Sequence, residues 1–182
     1  MASESREPGF IERATGTLVL GASAGIVATL AMSALMYGEQ RLGLLGRAPP
    51  RHIVEHALAR FGLRRSQIPK SVRAGLTALA HLGFGASQGA LYALLQDVAS
   101  RRISALKTPS AITGVPFALA VWAASYAGWI PALDILPKPR NDRPMRPTSM
   151  VLAHIAYGVT LARVLRLSRE RRTRSRVNLR TT

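Results

Sequence analysis

Two five-residue segments of the chain carry the same pattern of histidine, aliphatic residue, small residue, aromatic residue and glycine. They read His-Leu-Gly-Phe-Gly at 81–85 and His-Ile-Ala-Tyr-Gly at 154–158, and each lies in a long stretch without charge. A histidine that faces hydrocarbon needs a polar partner or a chemical task, such as ligating haem iron or carrying a proton. Hydrogen bonding between helices is the expected role of His81 and His154, and the alternative is that they are haem ligands or proton-handling residues.

The distribution of charge indicates a membrane protein. Only 19% of the residues are charged and 48% are apolar, and most charges lie outside four windows, at 16–37, 74–96, 108–133 and 148–162. The first three windows exceed the roughly 20 residues that cross a bilayer. The fourth reaches that length near residue 167, because Arg163 and Arg166 can extend their charges to the interface. The sequence predicts an all-α bundle of four transmembrane helices, with residues 1–167 forming one membrane domain.

A further helix is predicted in the first loop, at about 51–65. Apolar residues recur there at helical spacing, against a face of charged residues. This pattern is typical of an amphipathic helix that lies at the membrane interface.

The spans suggest an internal repeat. An offset of 89 residues aligns the first span and its loop with the third, and the two histidine segments lie 73 residues apart. The residues matched at the first offset are Gly25 with Gly114, Tyr37 with Tyr126, Pro50 with Pro139 and Arg51 with Arg140. Two tandem two-helix repeats would place His81 and His154 at the same depth. Chance similarity between helices rich in alanine and glycine is the alternative.

Small residues four apart predict close helix packing. Such pairs let helix backbones approach each other, which drives association in membranes. The glycines concerned are Gly21, Gly25, Gly85, Gly89 and Gly158.

The segments 21–25 and 85–89 also match the Gly-x-Ser-x-Gly pattern of serine hydrolases. That pattern requires a strand before the serine and a helix after it, whereas both copies lie inside apolar helices. No catalytic residue is assigned, and the chain is predicted not to be an enzyme.

The formal charge of +16 arises from 25 basic and 9 acidic residues, and arginines are concentrated at the carboxyl end. Residues 168–182 are predicted to form a disordered basic tail on anionic lipid headgroups, and a nucleic-acid partner is not expected. The headgroup contacts are assigned to Arg169, Arg171, Arg172, Arg174 and Arg176. The basic residues are nearly balanced between the two sides, with 13 on the side of the termini and 12 on the other. Because the longest basic block is the carboxyl-terminal tail, both termini are predicted to be cytoplasmic, and the opposite orientation is the alternative. The chain has no cysteine, which excludes disulfides and thiolate chemistry.

The order of these features resembles the YagU-like inner-membrane proteins of bacteria. The resemblance lies in a glycine-rich first span, the loop residues Pro49, Pro50 and Arg51, His81 and Gly85 in the second span, a proline in the third, and His154 before a basic end. It implies an inner-membrane location and a link to acid-stress resistance.

The sequence thus predicts a non-enzymatic accessory or stress-related component without a resident cofactor. Its expected partners are lipids, another membrane protein or a second copy of the chain. A small transporter, a channel or a haem-binding redox carrier that uses the histidine pair is the alternative.

Overall fold

The regular structure of the chain is helical. A computed structural model describes residues 9–44, 49–103, 108–142 and 144–178, and these contain five helices and no strand. The helices are α1 (Phe10–Arg41), α2 (Pro49–Arg60), α3 (Lys70–Arg102), α4 (Ala111–Ala132) and α5 (Arg146–Asn178). The predicted all-α class is confirmed for this part of the chain.

Three helices of the described chain, rather than the four predicted, are long and apolar enough to cross a membrane. They are Ile11–Arg41, Ala111–Ala132 and Arg146–Ser175. Helix α3 contains the predicted span at 74–96 and has sufficient length, at 33 residues. Its hydropathy is lower because it carries glycines and polar residues such as His81 and Gln88. Of the four transmembrane helices predicted, three therefore have the length and hydropathy of a span, and α3 does not.

The long helices form an antiparallel bundle. Helix α1 packs along both α3 and α5, and α4 packs along α5. Near the start of α1, the Thr17 hydroxyl donates to Asp97 of α3 at 2.7 Å. Near its end, Ser33 is within 3.3 Å of the His81 ring of the same helix. Gly16 lies against Arg172 of α5, so both ends of the described chain are at one end of the bundle, which we call the terminal end.

Glycines bring the helices of each pair into backbone contact. A Cβ atom on Gly25 would collide with the carbonyl oxygen of Gly85, and a Cβ atom on Gly114 would collide with that of Gly158. The two pairs are related by the offsets of 89 and 73 residues found in the sequence, so equivalent positions join α1 to α3 and α4 to α5. Gly21 and Gly89 extend the first contact. All five glycines assigned to packing therefore lie between helices.

Helices α3 and α4 meet at the terminal end and separate beyond it. There the Tyr92 and Phe117 rings lie 5.2 Å apart. The Tyr92 hydroxyl is 2.7 Å from the Thr113 hydroxyl, to which Gln96 also donates at 2.6 Å. Elsewhere these two helices make few contacts, unlike α1 and α5, which pack along each other. The bundle is consequently open on one side, toward the end opposite the termini.

Helix α2 corresponds to the amphipathic helix predicted at about 51–65. It ends at Arg60, because Gly62 has a φ of 75° and turns the chain away from the helix axis. Glu55 holds it to α3 through an ion pair with Arg73 at 3.0 Å. Helix α2 therefore covers the end of the bundle opposite the termini.

Helix α5 continues through most of the segment predicted to be a disordered tail. It remains helical to Asn178, and residues 179–182 lie outside the described residues. Arginine favours helix, and Arg166 forms an ion pair with Glu170 one turn later at 3.4 Å. These local preferences extend the helix past the last apolar residues.

The glycine contact gives a first testable prediction. Gly25→Ala should lower the free energy of unfolding in detergent by about 1–3 kcal/mol, because the added methyl group meets the backbone of α3. Gly83→Ala is the control, since no atom lies within 4 Å of the added methyl group there. Equal midpoints for the two variants in denaturant titrations would contradict the glycine contact.

Candidate functional site

The opening of the bundle contains a cavity of about 240 Å³. All four long helices contribute to its wall, and α2 contributes Pro50 and Ile53. Most of the wall is apolar, and its hydrocarbon and aromatic residues include Met32, Met36, Phe84, Val121, Ile130 and Met150. Ligand sites in proteins are usually concave, largely apolar and equipped with a few polar groups, and this cavity has that character.

The cavity opens between α3 and α4. Ala80 and Phe84 of α3 line it and are exposed at the surface, as is Trp129 of α4. Their exposure on both sides of the gap means that a molecule beside the bundle can reach the cavity sideways. This opening lies on the faces that hydrocarbon would cover if the apolar helices were embedded in a bilayer.

Both histidines of the repeated pattern line this cavity. His154 Nδ1 is 2.7 Å from the carbonyl oxygen of Met150, one turn earlier in α5. His81 Nδ1 is 3.3 Å from the Ser33 hydroxyl of α1. The structure therefore brings the two predicted site residues together and engages one nitrogen of each ring.

The second nitrogen of each ring is available to a ligand. Neither Nε2 atom has a hydrogen-bond partner among the described residues, and neither is fully buried. Fixing Nδ1 through a backbone carbonyl is a common way to orient a histidine whose Nε2 acts on another group. The site can thus offer two imidazole nitrogens within an apolar wall.

Tyr157 connects the two helix pairs behind the histidines. Its ring is buried, and its hydroxyl donates to the carbonyl oxygen of Gly85 at 2.8 Å. Tyr157 is the aromatic residue of the second histidine pattern and Gly85 is the glycine of the first. The repeated pattern therefore forms a direct contact between α3 and α5 at the cavity wall.

The cavity wall formed by α4 has a widened helical stretch. Ala123–Trp129 is π-helical, downstream of Pro116. The Ser125 hydroxyl donates to the carbonyl of Val121 at 2.7 Å, and such side-chain bonds compete with the α-helical pattern. Ser125, Tyr126 and Trp129 from this stretch all line the cavity.

A buried polar network lies beside the cavity and was not predicted. The Tyr126 hydroxyl donates to Asp142, which forms an ion pair with Arg146 at 2.6 Å. The side chains of Asp142 and Arg146 are 1% and 6% exposed, so this pair is withdrawn from solvent. Asp142 precedes α5 and is separated from Arg146 by Met145 with a φ of 69°, so their spacing of four residues is not that of a helical pair and gave no signal in the sequence.

The arginines assigned to lipid headgroups are in different environments. Arg169 turns inward, forming an ion pair with Asp97 at 2.6 Å and donating to the carbonyl of Ala93 at 3.3 Å. The other described hydrogen bond to the Asp97 carboxylate comes from the uncharged Thr17 hydroxyl, so Arg169 supplies the counter-charge among the described residues. Arg171, Arg172 and Arg174 are exposed on α5. The side chain of Arg176 lies outside the described residues.

Comparison with known proteins gives a family but no activity. A family of unknown function, DUF6789, matches residues 15–176. The match includes the cavity, both histidines and all the glycine contacts. The chain has no significant match among curated proteins or solved structures.

The hydroxyl of Tyr157 gives a second prediction. Tyr157→Phe should lower the free energy of unfolding by about 0.5–1.5 kcal/mol, because it removes one hydrogen bond between α3 and α5. Tyr37→Phe is the matched control, since Tyr37 is 57% exposed and its described hydrogen bond, from Arg41, lies within α1 rather than between helices. Thermal unfolding of both variants in the same detergent measures the difference, and an unchanged Tyr157→Phe protein would contradict the contact.

Proposed function

We propose that this chain, which belongs to the DUF6789 family of unknown function, is a non-enzymatic multi-pass membrane protein that binds an apolar molecule from the bilayer. The observation that carries the proposal is the cavity of about 240 Å³ between α3 and α4, with its apolar wall and sideways opening. An empty cavity lacks van der Waals contacts on its inner side. A hydrocarbon chain that enters from the lipid restores those contacts.

Helix α3 is proposed to cross the membrane together with the three more apolar helices. Both ends of the described chain lie at the terminal end of the bundle, and a chain whose ends are on one side crosses an even number of times. The polar residues that lower the hydropathy of α3 support this role. His81 and Gln88 line the cavity, while Gln96 is buried against Tyr92, so none of them requires a place in the lipid.

The terminal end is proposed to face the cytoplasm of an inner membrane. At 1.5 Å per residue, the 33 residues of α5 extend about 50 Å, beyond the roughly 30 Å of a bilayer core. The protruding part carries Arg171, Arg172 and Arg174, which suits anionic headgroups on the cytoplasmic side. The cavity and α2 then lie toward the outer face.

The biological role is proposed to be that of an accessory or stress-related component. The resemblance to YagU-like proteins supports such a role by the order of shared features. A bound lipid can also mediate assembly, and a membrane-protein partner or a second copy of this chain remains part of the proposal. Neither lipid binding nor assembly with such a partner requires a catalytic residue.

A redox or proton-handling role is a second candidate, favoured by the environment of the histidines. Both rings line one cavity, and the bond from His154 to the Met150 carbonyl resembles those that orient metal-ligating histidines. A visible spectrum of protein expressed with ample haem separates the redox carrier from the lipid-binding protein. If both histidines ligate haem iron, the wild-type protein should show a Soret band, and His81→Ala and His154→Ala should each remove it. Absence of the band in the wild type would exclude haem binding.

Blocking the cavity gives a third prediction. Ala80→Phe should remove most of the lipid that copurifies with the protein, because the added ring occupies the opening beside His81. Ala78→Phe is the matched control, since Ala78 is also exposed on α3 but does not line the cavity. Native mass spectrometry of both variants from mild detergent measures the bound molecules. Equal retention by the two variants, or no bound molecule on the wild type, would overturn lipid binding in the cavity.

A further inference from the structure

We infer that the molecule bound in the cavity is a neutral amphiphile that presents a hydroxyl group to His154, such as a long-chain alcohol or an alkylated phenol. This inference rests on the proposed function and adds the chemical class of the ligand. It depends on the hydrogen bonds of the two histidines and on the absence of lysine and arginine among the described residues that line the cavity.

The contact between His154 and Met150 determines which nitrogen carries the proton. The carbonyl oxygen of Met150 can only accept a hydrogen bond, so His154 Nδ1 must donate across the 2.7 Å separation. A second proton would place an imidazolium beside an apolar wall, which is costly without a counter-charge. In the neutral ring, Nε2 therefore has no hydrogen and acts as an acceptor.

This acceptor needs a donor from outside the described protein. No described residue donates to His154 Nε2, although the atom remains accessible. A polar group withdrawn from water without a hydrogen bond destabilises the state that contains it. A saturated hydrocarbon would leave Nε2 unsatisfied, whereas a hydroxyl group would donate to it directly.

His81 can complete the contacts of the same hydroxyl group. Its Nδ1 faces the Ser33 hydroxyl, which can either donate or accept, so the His81 ring can adopt either neutral tautomer. One tautomer offers an N–H group from Nε2 to the cavity. A hydroxyl group, which is both donor and acceptor, matches the two rings, whereas a ketone or an ester oxygen can only accept.

The charges of the wall disfavour a fatty acid. None of the described residues that line the cavity is a lysine or an arginine, so an ionised carboxylate would have no cation among them. Arg146 lies near Met150 in the chain, but its charge is already paired with Asp142. Burying an unpaired carboxylate in an apolar site is far less favourable than burying a neutral hydroxyl group.

The two tryptophans of the chain allow a direct binding measurement. Trp129 lines the cavity and Trp122 does not, so Trp122→Phe leaves one reporter at the site. Bromine quenches tryptophan fluorescence on contact. Bromododecanol, bromododecanoic acid and bromododecane can therefore be added, each at a known mole fraction of lipid, to nanodiscs that contain this variant under alkaline conditions.

The alcohol should produce half-maximal quenching at a mole fraction about fivefold lower than the alkane, the difference expected for one additional hydrogen bond. The acid, which is ionised under these conditions, should bind more weakly than the alcohol by at least that factor. His154→Leu should remove that preference, and His154→Gln, whose side-chain oxygen can accept, should retain part of it. If His154→Leu does not fold, the order of the three probes on the Trp122→Phe protein decides the inference.

The possible failures are distinguishable. Equal quenching by all three probes would overturn the hydroxyl preference while leaving binding in the cavity intact, as would stronger quenching by the acid or the alkane. Absence of saturable quenching by every probe would overturn the proposed function itself. If a folded His154→Leu protein keeps the preference for the alcohol unchanged, His154 does not contact the hydroxyl group.

Discussion

Backbone contact between glycines is the constraint on which the rest of the structure depends. Lipid is as apolar as the helix surfaces, so burying side chains supplies little drive for association within a bilayer. Two glycine contacts instead bring the helices of each pair together, at distances that any side chain would prevent. They are Gly25 with Gly85 and Gly114 with Gly158. Helices held that closely gain many small dispersion contacts. The two pairs are joined mainly through α1 and α5 and through the bond from Tyr157 to Gly85.

The cavity exists because this packing of helix pairs leaves a gap between α3 and α4. Helices α3 and α4 are tied together by Tyr92, Gln96 and Thr113 at the terminal end, and no comparable group of contacts joins them at the other end. The π-helical stretch of α4 and the residues of α2 then shape the remaining space. Polar residues that would be unfavourable if they faced lipid line this space instead. This accounts for the low hydropathy of α3 and for the polar groups in the cavity wall.

The sequence predicts the local features of this fold better than its long-range contacts. Helices, packing glycines and the equivalence of the two histidine patterns follow from spacing, because they depend on residues three or four apart. The number of apolar spans was overestimated, since a helix that faces a cavity can carry His81 and Gln88. The inward turn of Arg169 depends on Asp97, which is 72 residues earlier, and no periodic pattern reports such a pair. The cavity itself is a space between helices and leaves no motif in the sequence.

The accessibility of position 80 in a bilayer tests the central claim, that a cavity opens sideways from this bundle into lipid. The chain contains no cysteine, so Ala80→Cys carries a single nitroxide label without other substitutions. Relaxation of this label in liposomes by oxygen, which concentrates in lipid, should greatly exceed relaxation by a water-soluble nickel chelate. Stronger relaxation by the chelate, or protection from both reagents, would contradict the opening to lipid.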